Sequence, residues 1–113
     1  MKTFLALYMG SPPANPGAAP QMSDETRSAG MAAWGDWMAR NAAHIVDGGG
    51  PLGVTKKTSA EGVSDIHNRV TGYVVLRAES QQAAAELFQG HPHFTIFPGD
   101  SVEIMEILPI PGS

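Results

Sequence analysis

Two histidines stand on either side of a proline in the stretch Gly90 to Asp100, GHPHFTIFPGD. Imidazole changes charge near neutral pH and also binds metals, so the pair raises two chemistries. One is proton transfer by His93, with His91 as the second candidate. The other is a metal site built on both rings and completed by Asp100, His44 or a glutamate. A structural explanation competes with both. Gly90 suits the residue just past a helix end, and Pro92 blocks continuation of that helix. On this reading His91 is exposed at the negative end of the helix dipole, and His93 packs where the next strand begins. A general base also needs an orienting partner. Asp47, Asp100, Glu103 and Glu106 are the carboxylate candidates. Glu103 and Glu106 fall on opposite faces of one strand and are expected to reach solvent or pair with a cation such as Arg77.

Two other patterns invite a functional reading. Gly48 to Gly53, GGGPLG, matches GxGxxG and comes directly after a short strand, HIVD. The dinucleotide-binding use of that pattern requires a helix immediately beyond it. The next residues, VTKKTS, have no helical pattern. The phosphate-loop spacing is present too, but Val54 stands where its lysine is required. The expected role is a tight turn with positive φ, leaving open a backbone nest for an anion. Trp34 and Trp37 could wall a pocket for a planar ligand, although two tryptophans at this spacing on a helix are more often core.

The whole chain narrows these options. Its 113 residues suffice for one domain. There is no cysteine, which excludes disulfides and thiolate chemistry. Net charge is −4, with 7 Lys and Arg in no basic block, so nucleic acid is not an expected partner. No apolar run approaches the ~18 residues of a membrane span. MKTFLALYMG reads as a first strand rather than a signal peptide, and the expected compartment is the cytoplasm.

The elements that must position these residues can be read in order. Lys2–Met9 alternates Phe4, Ala6 and Tyr8 against Thr3, Leu5 and Leu7, with both faces largely apolar and both expected to be covered. A Pro- and Gly-rich loop, GSPPANPGAAPQM, comes next. Ser23 caps a helix running to about Ala42, with Asp24 and Glu25 in its first turn. Gly30, Trp34, Trp37, Met38 and Asn41 form its inward stripe, and Asp36 and Arg40 form a solvated pair. Gly30 and Gly35 are expected where a neighbouring backbone comes close. His44–Asp47 is a short strand, and VTKKTSAEGVSDIHN is an exposed, hairpin-like excursion. Val70–Ala78 is the clearest strand. Ser80 caps a second helix, QQAAAELFQ, with Ala83, Ala84, Leu87 and Phe88 inward. Ser101–Leu108 is the last strand. The order is β-α-β, an excursion, then β-α-β. That is the split βαβ plan, α+β and ferredoxin-like, with two helices on one face of a four-stranded antiparallel sheet. The other sheet face is apolar as well, so a homodimer burying it is expected.

Four fragments in this order resemble the YCII-related (DGPF) family: KTFLALYMG, AAWGDWMARNAAHIVDGGGPLG, VTGYVVLRAESQQAAAELFQGHPHF and SVEIMEILPI. The resemblance spans about residues 2 to 109. Its most specific parts are Trp34-Gly35-x-Trp37, Asp47-Gly48-Gly49 with Pro51, Thr71-Gly72-Tyr73 and Gly90-x-Pro92-His93. It implies a dimeric α+β barrel with a pocket between sheet and helices. Some members resemble enzymes acting on small aromatic compounds, including a dehydrochlorinase of chlorinated hydroquinone breakdown. The acid–base pair proposed for short members, a helix histidine and an aspartate before a proline, does not carry over. No histidine lies between Ser23 and Ala43, His91 precedes Pro92, and the DGPF tetrapeptide is absent. The matching step is Pro92-His93.

The expected function is therefore binding of a small aromatic or anionic molecule, with His93 as general acid or base and His91 second. Trp34, Trp37, His44, Asp47, Gly49 and Tyr73 are the expected ligand contacts. A non-catalytic binding or accessory dimer, and a metal site on His91 and His93, are the alternatives. No cofactor is expected.

Overall fold

A computed structural model describes residues 1–11 and 22–112 of the chain. Most of the loop GSPPANPGAAPQM lies outside the described residues. The elements are β1 (Lys2–Gly10), α1 (Asp24–Arg40), β2 (Ile45–Pro51), β3 (Thr55–Ser59), β4 (Gly62–Ile66), β5 (Val70–Ala78), α2 (Gln81–Glu86), α3 (Pro92–Thr95) and β6 (Gly99–Glu106). The main sheet has the order β2-β5-β1-β6, and each of its pairings is antiparallel. This is the ferredoxin-like order expected from the sequence. β3 and β4 form a separate two-stranded hairpin, as the polar excursion suggested.

The alternation in β1 decides which sheet face is covered. Phe4, Ala6 and Tyr8 are buried, and they pair across the sheet with Leu76, Val74 and Gly72. Trp37 from α1, with Ala84 and Phe88 from the second helical segment, closes the core over them. The large apolar side chains among them, Phe4, Val74 and Leu76, each contribute roughly 1.5–3 kcal/mol on full burial. The opposite face carries Leu5, Leu7, Val75 and Met105, half-buried or exposed, with no element among the described residues over it. Both faces were expected to be covered; within one chain only one is.

Local signals explain the helices. The Ser23 hydroxyl accepts from the Thr26 amide at 3.1 Å, and Ser80 accepts from Ala83 at 3.1 Å. Both caps satisfy amides that the first helical turn leaves free. α1 ends at Arg40, two residues short of the expected Ala42. Its indole Trp37 Nε1 donates to the Leu87 carbonyl at 2.8 Å, tying α1 to the end of α2. Gly30 is closely packed, but against side chains rather than the expected backbone: a Cβ there would meet Phe97 Cζ at 2.5 Å. Gly35 is not, because nothing lies within 4 Å of its added Cβ. The Asp36–Arg40 pair is also corrected: Arg40 Nε donates to the Asp36 backbone carbonyl at 3.4 Å instead.

Two boundaries differ for physical reasons. The second helix ends at Glu86 rather than Gln89, because the chain then tightens into i→i+3 bonds, Phe88 to Ala85 and Gln89 to Glu86. The strand after His44 does not stop at Asp47. It runs through the glycines to Pro51 with register slips between Ile45 and Asp47 and between Asp47 and Gly50. β2 is an edge strand, where bulges and a proline are tolerated.

Candidate functional site

The stretch GHPHF folds as a turn of helix, and that changes the reading of both histidines. Gly90 takes φ +72°, the left-handed conformation expected past a helix end. Pro92 then begins a new helix, α3, at a position where its missing N–H costs nothing. His91 is the cap of that helix. Its Nδ1 accepts from the His93 backbone amide at 2.9 Å. The expected exposure of His91 is therefore overturned: it is 0 % exposed. Burial pushes its imidazole down to about 4, and the neighbouring His93 charge acts the same way. His91 is neutral at physiological pH.

The same observations fix its tautomer. An Nδ1 that accepts from an amide carries no proton, so Nε2 carries it. Nε2 faces the Tyr8 hydroxyl at 3.4 Å. Tyr8 is the hub of an aromatic cluster. Its ring centroid lies 4.8 Å from Trp34 and 5.2 Å from each of His91 and His93. Desolvation raises the Tyr8 phenol well above its ordinary value, so it stays a hydroxyl.

His93 is held differently. Its Nε2 donates to the Met9 carbonyl at 2.8 Å. β1 slips register at this point on both sides, between Tyr8 and Met9 against β5 and between Met9 and Gly10 against β6. The imidazole lies directly on the Gly99 backbone, where an added Cβ would collide with the ring and with the His93 carbonyl. With Nε2–H committed to Met9, the Nδ1 of neutral His93 is a lone-pair acceptor. It has no hydrogen-bond partner among the described residues, and it is not sealed from solvent.

His93 opens onto a cavity of about 370 Å³ between α1 and the β2–β5–β1 end of the sheet. That volume suits a small molecule. Tyr8, Trp34, Met31 and Phe97 form one side, and the backbone-rich surface of Gly48, Gly50, Pro51 and Thr71 to Tyr73 forms the other. None of these residues is acidic. The carboxylates expected as partners of His93 are elsewhere. Asp100 pairs with Arg69 at 3.3 Å, Glu106 with Lys2 at 3.8 Å, Glu103 is exposed, and Asp47 accepts from the Gly49 amide at 2.9 Å. A backbone carbonyl replaces the expected carboxylate as the orienting group.

Of the expected ligand contacts, Trp34 and Tyr73 line the cavity, as does His93. Trp37 is core and spends its N–H on Leu87. His44 Nδ1 donates to the Arg77 carbonyl at 2.9 Å, and the ring is not part of the wall. Asp47 and Gly49 are not part of the wall, while Gly48 and Gly50 are. Gly49 takes the expected positive φ, +66°, but at a bulge inside β2 rather than in the expected tight turn. The anion nest left open by the glycine run is satisfied internally, because the Asp47 carboxylate already occupies the Gly49 amide. For the paired-histidine metal arrangement, His91 Nδ1 and His93 Nε2 are committed to the backbone, which leaves one nitrogen of each ring, His91 Nε2 facing Tyr8 and His93 Nδ1 facing the cavity. Among the described residues no group of three or more His, Asp or Glu comes together to hold an ion. Sequence reasoning missed Tyr8, Met31 and Phe97. A signal existed for two of them. Tyr8 ends the inward row Phe4-Ala6-Tyr8 with a polar tip, and Met31 lies three residues before Trp34 on α1.

No helix among the described residues is long and apolar enough to cross a membrane. No family model matches the chain, and no curated protein matches it. A solved structure does. It is the 5-chloro-2-hydroxyhydroquinone dehydrochlorinase from Burkholderia phenoliruptrix AC1100, in complex with 2,5-dihydroxybenzoquinone. It aligns over 91 % of this chain and 90 % of its own, with a TM-score of 0.54 and 19 % identity. At that identity the likeness establishes a shared fold and nothing finer. This chain is a ferredoxin-like α+β domain similar in fold to that dehydrochlorinase.

Proposed function

We propose that the cavity between α1 and the sheet binds a small planar molecule bearing oxygen functions, and that His93 Nδ1 accepts a proton from it. One observation carries this reading. A mostly apolar cavity contains a histidine whose tautomer is set by the Met9 carbonyl and whose remaining nitrogen is unpartnered among the described residues. An apolar pocket with few convergent polar groups is the usual form of a small-molecule site. A fold neighbour bound to 2,5-dihydroxybenzoquinone supports the ligand class by analogy. When His93 takes a proton, its Nε2–H remains on Met9, so the cation forms without the ring turning.

The lack of a carboxylate on the cavity wall favours a second reading, binding without turnover. His93→Ala tests whether His93 belongs to the site, and turnover by the wild type separates the two readings. Isothermal titration with 2,5-dihydroxybenzoquinone is expected to show roughly tenfold weaker binding, the value of one lost hydrogen bond. Unchanged affinity would remove His93 from the site. Tight binding by the wild type with no consumption of hydroxylated quinones or chlorinated hydroquinones would leave only the binding module.

We further propose a homodimer closed over the face bearing Leu5, Leu7, Val75 and Met105, because an uncovered apolar sheet face is a liability in a monomer. Sedimentation equilibrium at micromolar concentration is expected to give twice the 11.9 kDa chain mass. A monomer there, unchanged by Leu7→Lys, would refute the assembly.

A further inference from the structure

Tyr8 is 4 % exposed, and its hydroxyl has a single neighbour of hydrogen-bonding type among the described residues, His91 Nε2 at 3.4 Å. A tyrosine hydroxyl has one proton to donate and lone pairs to accept with. Which role His91 takes is decided two residues away. The His93 amide points at His91 Nδ1 from 2.9 Å, so a proton on Nδ1 would face another N–H. Nε2 of the neutral ring therefore bears the hydrogen and donates toward the Tyr8 oxygen. Tyr8 consequently acts as acceptor in its one internal contact. With Nε2–H pointing at the Tyr8 oxygen, the Tyr8 proton has no acceptor among the described residues, although the residue is only 4 % exposed. A buried donor without an internal partner is destabilising, so this proton is best used on an acceptor in the cavity. Tyr8 also forms part of the cavity wall beside Trp34 and His93.

We propose that Tyr8 is a ligand-binding hydrogen-bond donor. On this assignment His91 is the positioning residue that turns the Tyr8 proton toward the cavity. This rests on the small-molecule reading above and specifies its ligand. Among the described residues of the wall, Tyr8 O–H is a donor aimed by His91, and His93 Nδ1 is an acceptor fixed by Met9. The pocket therefore selects a planar molecule with a carbonyl or phenolate oxygen for Tyr8 and an acidic hydroxyl for His93. A hydroxyquinone has both. A hydrocarbon ring, or a quinone without hydroxyls, satisfies only part of the site.

Two measurements test the assignment. The first needs no ligand. Nitrogen-15 chemical shifts of the histidine rings in the full chain at pH 7 are expected to show His91 Nδ1 unprotonated and Nε2 protonated. The reverse tautomer, or a charged ring, overturns the relay. The second is titration of wild type and Tyr8→Phe with 2,5-dihydroxybenzoquinone and with 1,4-benzoquinone. Tyr8→Phe keeps the ring and is expected to weaken the hydroxyquinone about tenfold. The wild type is expected to bind 1,4-benzoquinone about tenfold more weakly than the hydroxyquinone. Equal affinity of wild type and Tyr8→Phe overturns the donor role while leaving the cavity reading intact. A wild type that binds neither probe overturns the ligand class and the cavity reading together.

Discussion

Gly49→Ala is expected to destabilise the fold by at least about 3 kcal/mol, lowering Tm by roughly 15 °C. Two costs combine. Gly49 sits at φ +66°, a conformation that L side chains adopt with strain. An added Cβ would also overlap the Tyr73 carbonyl, because β2 bulges against β5 at this residue. Neither partner can move cheaply, since both belong to the sheet backbone. The neighbouring Gly53→Ala is the control. It has no positive φ and nothing within 4 Å of its added Cβ, so a change within about 0.5 kcal/mol is expected. Urea unfolding of both variants measures the contrast. A Gly49→Ala protein less than about 1 kcal/mol below wild type would mean that β2 does not take this bulged path. Because Gly48 and Gly50 wall the cavity, ligand affinity is expected to fall with the stability.

Acid should weaken the protein through His91. Its folded value is about 4, below the ordinary 6.5, because burial disfavours the imidazolium and the His93 charge adds to that. Between these two pH values the unfolded chain binds a proton that the folded chain excludes. Stability therefore rises with pH across this window, is fully present above about 6.5, and is lost as pH falls toward 4. The loss is on the order of 2 kcal/mol, after allowance for relaxation around the buried ring. Carboxylates also titrate at the lower end, so the comparison must be internal. His91→Asn retains a side-chain acceptor for the His93 amide, and asparagine is a good cap. The variant should be less stable at pH 7 from lost packing, but its stability should change less between pH 6.5 and 4. Parallel curves for the two proteins in guanidinium unfolding would show that His91 does not carry the acid sensitivity.

The two results meet in one region. Gly49 lets β2 lie close against β5, and this places Gly48, Gly50 and Pro51 as one wall of the cavity. His91 caps α3, and α3 delivers His93 to the opposite side. A stability defect at either residue is thus a site defect as well. Binding assays on such variants need a matched measurement of folded fraction.

What the sequence determined by itself is local or periodic. Alternation in KTFLALYM put Phe4, Ala6 and Tyr8 together on one face, the face that the structure buries in the core. Helical spacing chose Gly30, Trp37 and Phe88, and Ser23 and Ser80 announced the helix starts through their capping chemistry. From these elements and their order came the ferredoxin-like topology, because few connections are allowed between them. The positive φ values at Gly49 and Gly90 were legible for the same reason: glycine is the residue that adopts them without strain.

Tertiary structure decided the rest, wherever a residue's role depends on what lies opposite it. GHPHF signals a stop and a turn, and a proline after such a stop reads equally as a break or as the first residue of a new helix. Packing of α3 under Trp34 and Trp37 selected the second. That choice took His91 from the expected surface to 0 % exposure, turned its Nδ1 to the backbone, and left Tyr8 with a proton to give. It also set His93 beside Met9, 84 residues away along the chain, so that a carbonyl orients it in place of the expected acid. No spacing along a sequence encodes a contact of that range. It exists because β1 and β6 pair side by side in the sheet and bring the end of the first strand to the start of the last.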